Sequence, residues 1–221
     1  MLGKVGAIVW KDVLAELRTK DIVLSVGVFA VLVIIVFNFA FQPGAQGIGA
    51  VAPGALWVAV VFAGVLGMNR AFVLEKERGT LPGLLLCPVP REAIFAGKMA
   101  ASLLFMLLVE AAVVPLFGVF LGLPLFPPAL VPIVLLATLG FAAAGTLFSA
   151  VAASSRSREL MLPILLLPVL VPVILSAVGA SAAVFAGEPF GEYRTWVQVL
   201  IGFDVVYLVL SAWVFEYVVQ E

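Results

Sequence analysis

Histidine is absent from this 221-residue sequence, and cysteine occurs once, at Cys87. Histidine is the commonest ligand of protein-bound transition metals and the commonest general base, so its absence argues against metal chemistry or acid–base catalysis by this chain. A single cysteine excludes an intrachain disulfide. We therefore expect no catalytic residue, no metal site and no cofactor bound by this chain.

Charge is also scarce. Charged residues make up 11% of the chain and hydrophobic residues 64%, whereas soluble domains have roughly 45–50% apolar and ~25% charged residues. This composition indicates an integral membrane protein. The net charge of −1 gives no basic field for nucleic acid. The sequence has no GxxxxGK[ST] phosphate-binding loop, so ATP hydrolysis is expected only in a separate chain.

The apolar runs predict one all-α membrane domain over residues 1–221 with six transmembrane helices, since about 20 apolar residues cross a bilayer. The predicted spans are residues 22–41, 53–73, 99–123, 130–153, 161–185 and 196–217. Three prolines predict that the fifth span is kinked or broken, with a re-entrant or surface turn in the small-residue stretch that follows it. The polar segment 187–194 is predicted to be an outer loop.

Residues 1–21 are too polar to span. Val5, Val9, Val13 and Leu17 recur at intervals of four, with basic residues on the opposite side, which predicts an interfacial helix on the cytoplasmic surface. Ile8 and Lys20 fit this pattern imperfectly. An ordinary charged segment leading into the first span is the alternative.

The segment 74–98 is the longest charged stretch between two apolar blocks. Gly79 is suited to close a helix and Thr80 to cap the next one, which prolines then stop. The short helix would have one apolar face, formed by Leu81, Leu84 and Leu85. The pattern predicts a short helix on the membrane surface between the second and third spans.

The basic residues set the orientation. If both termini are cytoplasmic, eleven of the twelve lie inside and only Arg194 lies outside, as the positive-inside rule requires. The eleven are Lys4, Lys11, Arg18, Lys20, Arg70, Lys76, Arg78, Arg91, Lys98, Arg156 and Arg158.

Two carboxylates, Glu110 and Asp204, fall within predicted spans. Acids inside a membrane are costly and are functional candidates. The alternative is a protonated or hydrogen-bonded acid that joins helices or lines a subunit interface.

Four stretches resemble the membrane subunits of type-2 ABC exporters, and among them the haem exporter B (CcmB) family of cytochrome c maturation. They are VWKDVLAELRTKD, EKERGTLPGLLLCPVPREAIFAGK, SSRSRELMLPILLLPVLVP and GFDVVYLVLSAWVFEYVVQE, which span nearly the whole chain. Pro82 stands where many relatives place an acidic or polar residue, so the resemblance does not extend to salt-bridge docking from that position.

The resemblance implies a non-catalytic permease subunit in the cell (inner) membrane. Two copies would pair with two ABC ATPase subunits that hydrolyse ATP, with haem as the cargo of the pathway. A haem-handling membrane protein and a haem chaperone would be further partners. The residues implied in ATPase coupling are Glu75, Glu77, Arg78, Gly79, Thr80, Leu81, Leu84 and Leu85.

Other functions stay open at this point. In one alternative, the complex releases a haem-loaded chaperone without passing haem through this chain. Alternatively, the chain is an exporter subunit for a drug or lipid, an ion-coupled carrier that uses Glu110 and Asp204, or a membrane scaffold without transport.

Overall fold

The structure, a computed structural model, describes residues 2–19, 21–41, 48–77, 89–121, 127–154 and 158–218. These residues form seven helices. They are α1 (Leu2–Thr19), α2 (Asp21–Phe41), α3 (Ile48–Glu77), α4 (Arg91–Leu121), α5 (Leu130–Ser154), α6 (Arg158–Phe185) and α7 (Phe190–Val218). The all-α fold expected from composition is confirmed for this part of the chain.

Five helices are long and apolar enough to cross a membrane: Val51–Met68, Arg91–Leu121, Leu130–Ala152, Leu160–Phe185 and Phe190–Phe215. In α2, the stretch Gly27–Ala40 is apolar but shorter. Several helices begin before the spans predicted within them. In particular, α4 starts at Arg91, because the Pro90 carbonyl accepts hydrogen bonds from the amides of Ala93 and Ile94 at 2.9 and 3.3 Å.

Helix α5 lies at the centre of the bundle and contacts α3, α4, α6 and α7. Every residue from Gly140 to Leu147 is buried, and this run consists mainly of alanine and glycine. Small side chains let helix backbones approach closely, which is how membrane helices gain packing energy without a hydrophobic driving force between them. The apolar core is built around this run.

Helix α6 is continuous through its three prolines, so the predicted break is absent, while the predicted kink stays a prediction. The prolines, Pro163, Pro168 and Pro172, are half-buried or exposed. The opposite stripe is buried and packs in the core, as shown by Leu162, Leu166, Leu170, Val173, Ala177 and Ala180. Packing along that stripe holds the helix together although the prolines remove backbone donors.

The predicted turn after the fifth span is also wrong, because α6 runs to Phe185. Its end is a glycine cap. Gly187 has φ +76°, the Glu188 amide donates to the Ala183 carbonyl at 2.9 Å, and the Gly187 amide donates to Val184 at 3.1 Å. This pair of bonds is a Schellman motif. Helix α7 then starts at Phe190, so the predicted outer loop 187–194 is largely helical.

Interhelical hydrogen bonds add to the packing. The Trp57 indole on α3 donates to Ser181 Oγ on α6 at 3.0 Å, and the Asn38 amide on α2 donates to the Phe120 carbonyl on α4 at 2.7 Å. Such bonds are worth about 1 kcal/mol each between membrane helices. They tie the first helices of the chain to the rest of the bundle.

The close packing gives a matched pair of glycine substitutions on α3. A Cβ at Gly64 would lie 2.8 Å from the buried Phe141 ring, whereas a Cβ at Gly54 would meet nothing within 4 Å. We expect Gly64→Ala to lower the unfolding free energy in detergent by about 1–3 kcal/mol, because the rigid ring must move. Gly54→Ala should keep or slightly raise stability, since alanine favours helix. Equal thermal stability of the two variants would contradict this packing.

Candidate functional site

The residues implied in ATPase coupling follow the end of α3. Glu75 and Glu77 belong to its last turn, and the helix ends at Glu77. The others lie outside the described residues: Arg78, Gly79, Thr80, Leu81, Leu84 and Leu85. The short helix therefore stays a prediction. The structure fixes only its attachment points, α3 on one side and Val89 to Arg91 on the other.

Glu110 is buried in α4 and meets Thr138 on the central helix α5. The side chain is 3% exposed, and Thr138 Oγ1 lies 2.8 Å from each of its carboxylate oxygens. The same hydroxyl is also 2.7 Å from the Val134 carbonyl, one turn earlier in α5. The acid thus joins α4 to α5, which is the packing role considered for it from the sequence.

The Thr138 hydroxyl has one proton for these acceptors. If it donates to Val134, the contact with Glu110 is satisfied by a protonated carboxyl that donates to Thr138. If it donates to Glu110, the Val134 carbonyl keeps only its helical bond. In either arrangement a buried polar group in an apolar bundle has a partner, as membrane helices require.

Asp204 reaches α5 from the opposite neighbour, α7. Its side chain is 4% exposed, and its Oδ1 lies 2.5 Å from the position that a Cβ on Gly140 would occupy. Neither carboxylate oxygen has a hydrogen-bond partner among the residues that the structure describes. Only glycine at position 140 leaves room for this acid. Asp204 is therefore buried without the compensation that Glu110 has.

The two acids contact α5 only two residues apart in sequence, at Thr138 and Gly140, but from different helices. A cavity of about 10 Å³, little more than the space of one water molecule, lies beside Glu110 between α3 and α4 and is lined otherwise by apolar residues. Ligand pockets usually measure roughly 300–1,000 Å³ and offer several polar groups. This cavity fits helix packing better than a cofactor. Across the described ranges, no three His, Cys, Asp or Glu side chains come together as metal ligands would.

Sequence reasoning missed the partners of these groups. In the sequence, Thr138 is a single hydroxyl in an apolar helix, and Gly140 is one of many small residues. Their roles are visible only in the contacts between helices. It also missed an ion pair between Lys98 Nζ and Asp12 Oδ2, 3.0 Å apart. Lys98 was expected in a cytoplasmic loop, but it lies inside α4 and its side chain is 3% exposed.

Comparison with known proteins agrees with the resemblance seen in the sequence. The profile of the family described as CcmB protein matches residues 4–220. The chain belongs to the CcmB family. It is similar to heme exporter protein B of Pseudomonas aeruginosa, with 31% identity over 174 residues and 78% of each chain covered. The corresponding protein of Bradyrhizobium diazoefficiens is 28% identical over 183 residues, 82% of each chain.

A third CcmB relative, heme exporter protein B of Paracoccus denitrificans, is 34% identical over 149 residues, covering 66% of this chain and 68% of that one. Together with the five apolar helices, these relationships identify a multi-pass membrane protein. The match over residues 4–220 includes α1, the segment after α3 and both intramembrane acids. Every candidate site residue thus lies within the family region.

The Glu110–Thr138 contact predicts a graded response to substitution at Glu110. Glu110→Gln can still bond Thr138, so we expect a stability close to that of the parent. Glu110→Ala loses the bond and its packing volume, and should cost about 1–3 kcal/mol in detergent. Thermal unfolding of the two variants measures this difference. A carrier that exchanges protons at Glu110 would instead lose its activity in Glu110→Gln while the protein remains folded.

For Asp204 we expect substitution to change the stability in the opposite direction. Asp204→Leu removes a buried carboxyl that has no partner in the described structure, so we expect stability to rise by about 1–3 kcal/mol. Asp204→Asn, which keeps a buried polar group, is the matched control and should gain less. If Asp204→Leu unfolds more easily than the parent, the assigned environment is wrong. If it is more stable but fails to complement a deletion strain, Asp204 has a functional role.

Proposed function

We propose that this chain is the membrane (permease) subunit of the haem export system in c-type cytochrome maturation. The observation that carries the proposal is the CcmB family match over nearly the whole chain, with relatives named heme exporter protein B. The apolar helical bundle suits a permease. The chain itself is non-catalytic, and ATP is hydrolysed by a separate subunit.

We further propose six crossings, with α2 as the first. Ile8, near the beginning of the chain, and Phe215, near its end, belong to one buried cluster, so α1 and the last turns of α7 lie at the same end of the bundle. Ends on one side require an even number of crossings. The five longest apolar helices and the 21-residue α2 make six. The distribution of basic residues supports a cytoplasmic position for that side, in an inner-membrane protein.

ATPase coupling is proposed for the segment between α3 and α4. Helix α3 is continuous over 30 residues from Ile48 to Glu77, so a displacement at its charged end would be carried into the bundle by a rigid element. The apolar face of Leu81, Leu84 and Leu85 would dock in a surface groove of the ATPase. Two ATPase subunits and a second copy of this chain would complete the transporter core.

Haem is the proposed cargo of the system. The chain has no histidine, the usual axial ligand of haem iron, so firm ligation by this subunit is disfavoured. A haem-handling membrane protein and a haem chaperone are therefore proposed as partners that hold the cofactor. ATP-driven release of the loaded chaperone, with no haem passing through this chain, is equally consistent with the absence of histidine.

Deletion of the gene, followed by haem staining of membrane proteins, tests the function. We expect loss of all c-type cytochromes, restored by the intact chain and by Leu84→Met/Leu85→Met, which keeps the apolar face. Leu84→Asp/Leu85→Asp should not restore them and should abolish co-purification of the ATPase, because buried charges oppose docking.

The outcomes separate the two claims. Normal c-type cytochromes in the deletion strain would overturn the haem-pathway function and favour another cargo. If deletion abolishes c-type cytochromes and both double variants restore them with the ATPase still bound, the haem-pathway function stands. In that case Leu84 and Leu85 have no role in coupling.

A further inference from the structure

Helix α1 is fitted against the first turns of α4. A Cβ at Gly97 would lie 2.8 Å from both Cβ and Cγ2 of Ile8, so a larger residue at position 97 would have to displace the Ile8 side chain. Ile8 is 6% exposed. Ile8, which fits the surface-helix pattern imperfectly, is thus buried against α4. The helix that the sequence predicts on the membrane surface is also a packed part of the bundle.

One turn after Ile8, an ion pair fastens the same two helices. Asp12 Oδ2 lies 3.0 Å from Lys98 Nζ, and the Lys98 side chain is 3% exposed. Asp12 also pairs with Lys11 at 3.3 Å, but the Lys11 side chain is 47% exposed. The Asp12 side chain is 21% exposed, so Lys98 is the buried member of the pair. Loss of Asp12 would leave the Lys98 ammonium desolvated, whereas the exposed Lys11 would regain water. The bond to Lys98 is therefore the one that fixes α1.

A small apolar cluster continues this junction. Ile8 packs with Ile94, Phe95 and Phe215, and the rings of Phe95 and Phe215 have centroids 5.3 Å apart. Val89 packs against the same cluster, and it directly follows the segment assigned to ATPase coupling. The chain thus leaves that segment and enters a site formed by α1, α4 and α7 together.

We propose that α1 is a positioning element for the coupling segment. Ile8 and Asp12 hold the first turns of α4 so that α1 and this part of α4 move as one body, and force received between residues 78 and 88 reaches α4 and α7 instead of being lost in local motion. Asp12, Lys98, Ile8 and Gly97 are positioning residues that do not touch cargo or nucleotide. This inference rests on the proposed coupling function.

The ion pair is tested with Lys98→Met, which keeps the apolar stem of the side chain. We expect c-type cytochrome formation to fall several-fold while the ATPase subunit still co-purifies and ATP hydrolysis by the complex persists. Lys11→Met, on the exposed partner of the same aspartate, is the matched control and should stay near the parent. The reciprocal exchange Asp12→Lys/Lys98→Asp should recover part of the lost function.

Two outcomes would overturn the positioning role. The first is an equal effect of Lys98→Met and Lys11→Met. The second is a fall in cytochrome formation that only matches a fall in the amount of chain in the membrane, which a purely structural contact would give.

A cross-link tests the movement itself. In a Cys87→Ser background, Ile8→Cys/Gly97→Cys places two thiols at the contact, where a small outward shift gives the Cβ separation of about 3.8 Å that disulfides need. The purified complex is oxidised, and its ATPase activity is measured before oxidation, after oxidation and after reduction. We expect the disulfide to form and the ATPase activity of this variant to be the same before and after oxidation, because the two helices do not separate during the cycle.

The cross-link result is distinct from failure of the proposed function. If the disulfide forms, stops ATP hydrolysis and reduction restores it, the junction opens during the cycle and the positioning role is wrong. Absence of the disulfide would overturn the contact itself. If the unmodified complex contains no ATPase, it is the proposed function that fails, and the positioning role of α1 is not what the result contradicts. The single-cysteine variants control for oxidation elsewhere.

Discussion

Close approach of helices to α5 is the constraint on which the rest of the structure depends. In an apolar solvent, helices gain little by hiding apolar surface, so the bundle relies on contact between small residues and on a few polar bonds. The buried run from Gly140 to Leu147 provides such contact on several sides at once. Gly145 faces Met68 and Leu166, while Phe141 fills the space left by Gly64. Larger residues in this run would push α3, α6 and α7 apart together.

The two intramembrane acids are both buried in the bundle, but they differ in whether they have a hydrogen-bond partner. Glu110 is given a hydroxyl partner on α5, whereas Asp204 is accommodated only because Gly140 has no side chain. A paired acid serves as a link between helices. An acid with no described partner is a cost that packing alone does not explain, which makes Asp204 the stronger candidate for a role beyond structure.

The end of the bundle that holds α1 is organised separately from the main core. Ile8, Ile94, Phe95 and Phe215 form their own cluster, with the Asp12–Lys98 pair beside it. In a subunit driven by a partner ATPase, this is the end that would receive the mechanical input. The charged pair and the ring contact between Phe95 and Phe215 lie next to the proposed coupling segment and suit that task.

The sequence by itself determined that the chain is helical and membrane-embedded and that it belongs with exporter B subunits. Composition, run length and local motifs carry that information, because each depends on neighbours along the chain. Tertiary structure alone decided that α6 stays continuous through three prolines, since a buried leucine stripe holds it. It also decided that Ile8 is buried and that Lys98 pairs with Asp12. Each of these features depends on a residue from another helix. The sequence pattern of one helix does not show which residue of another helix will contact it.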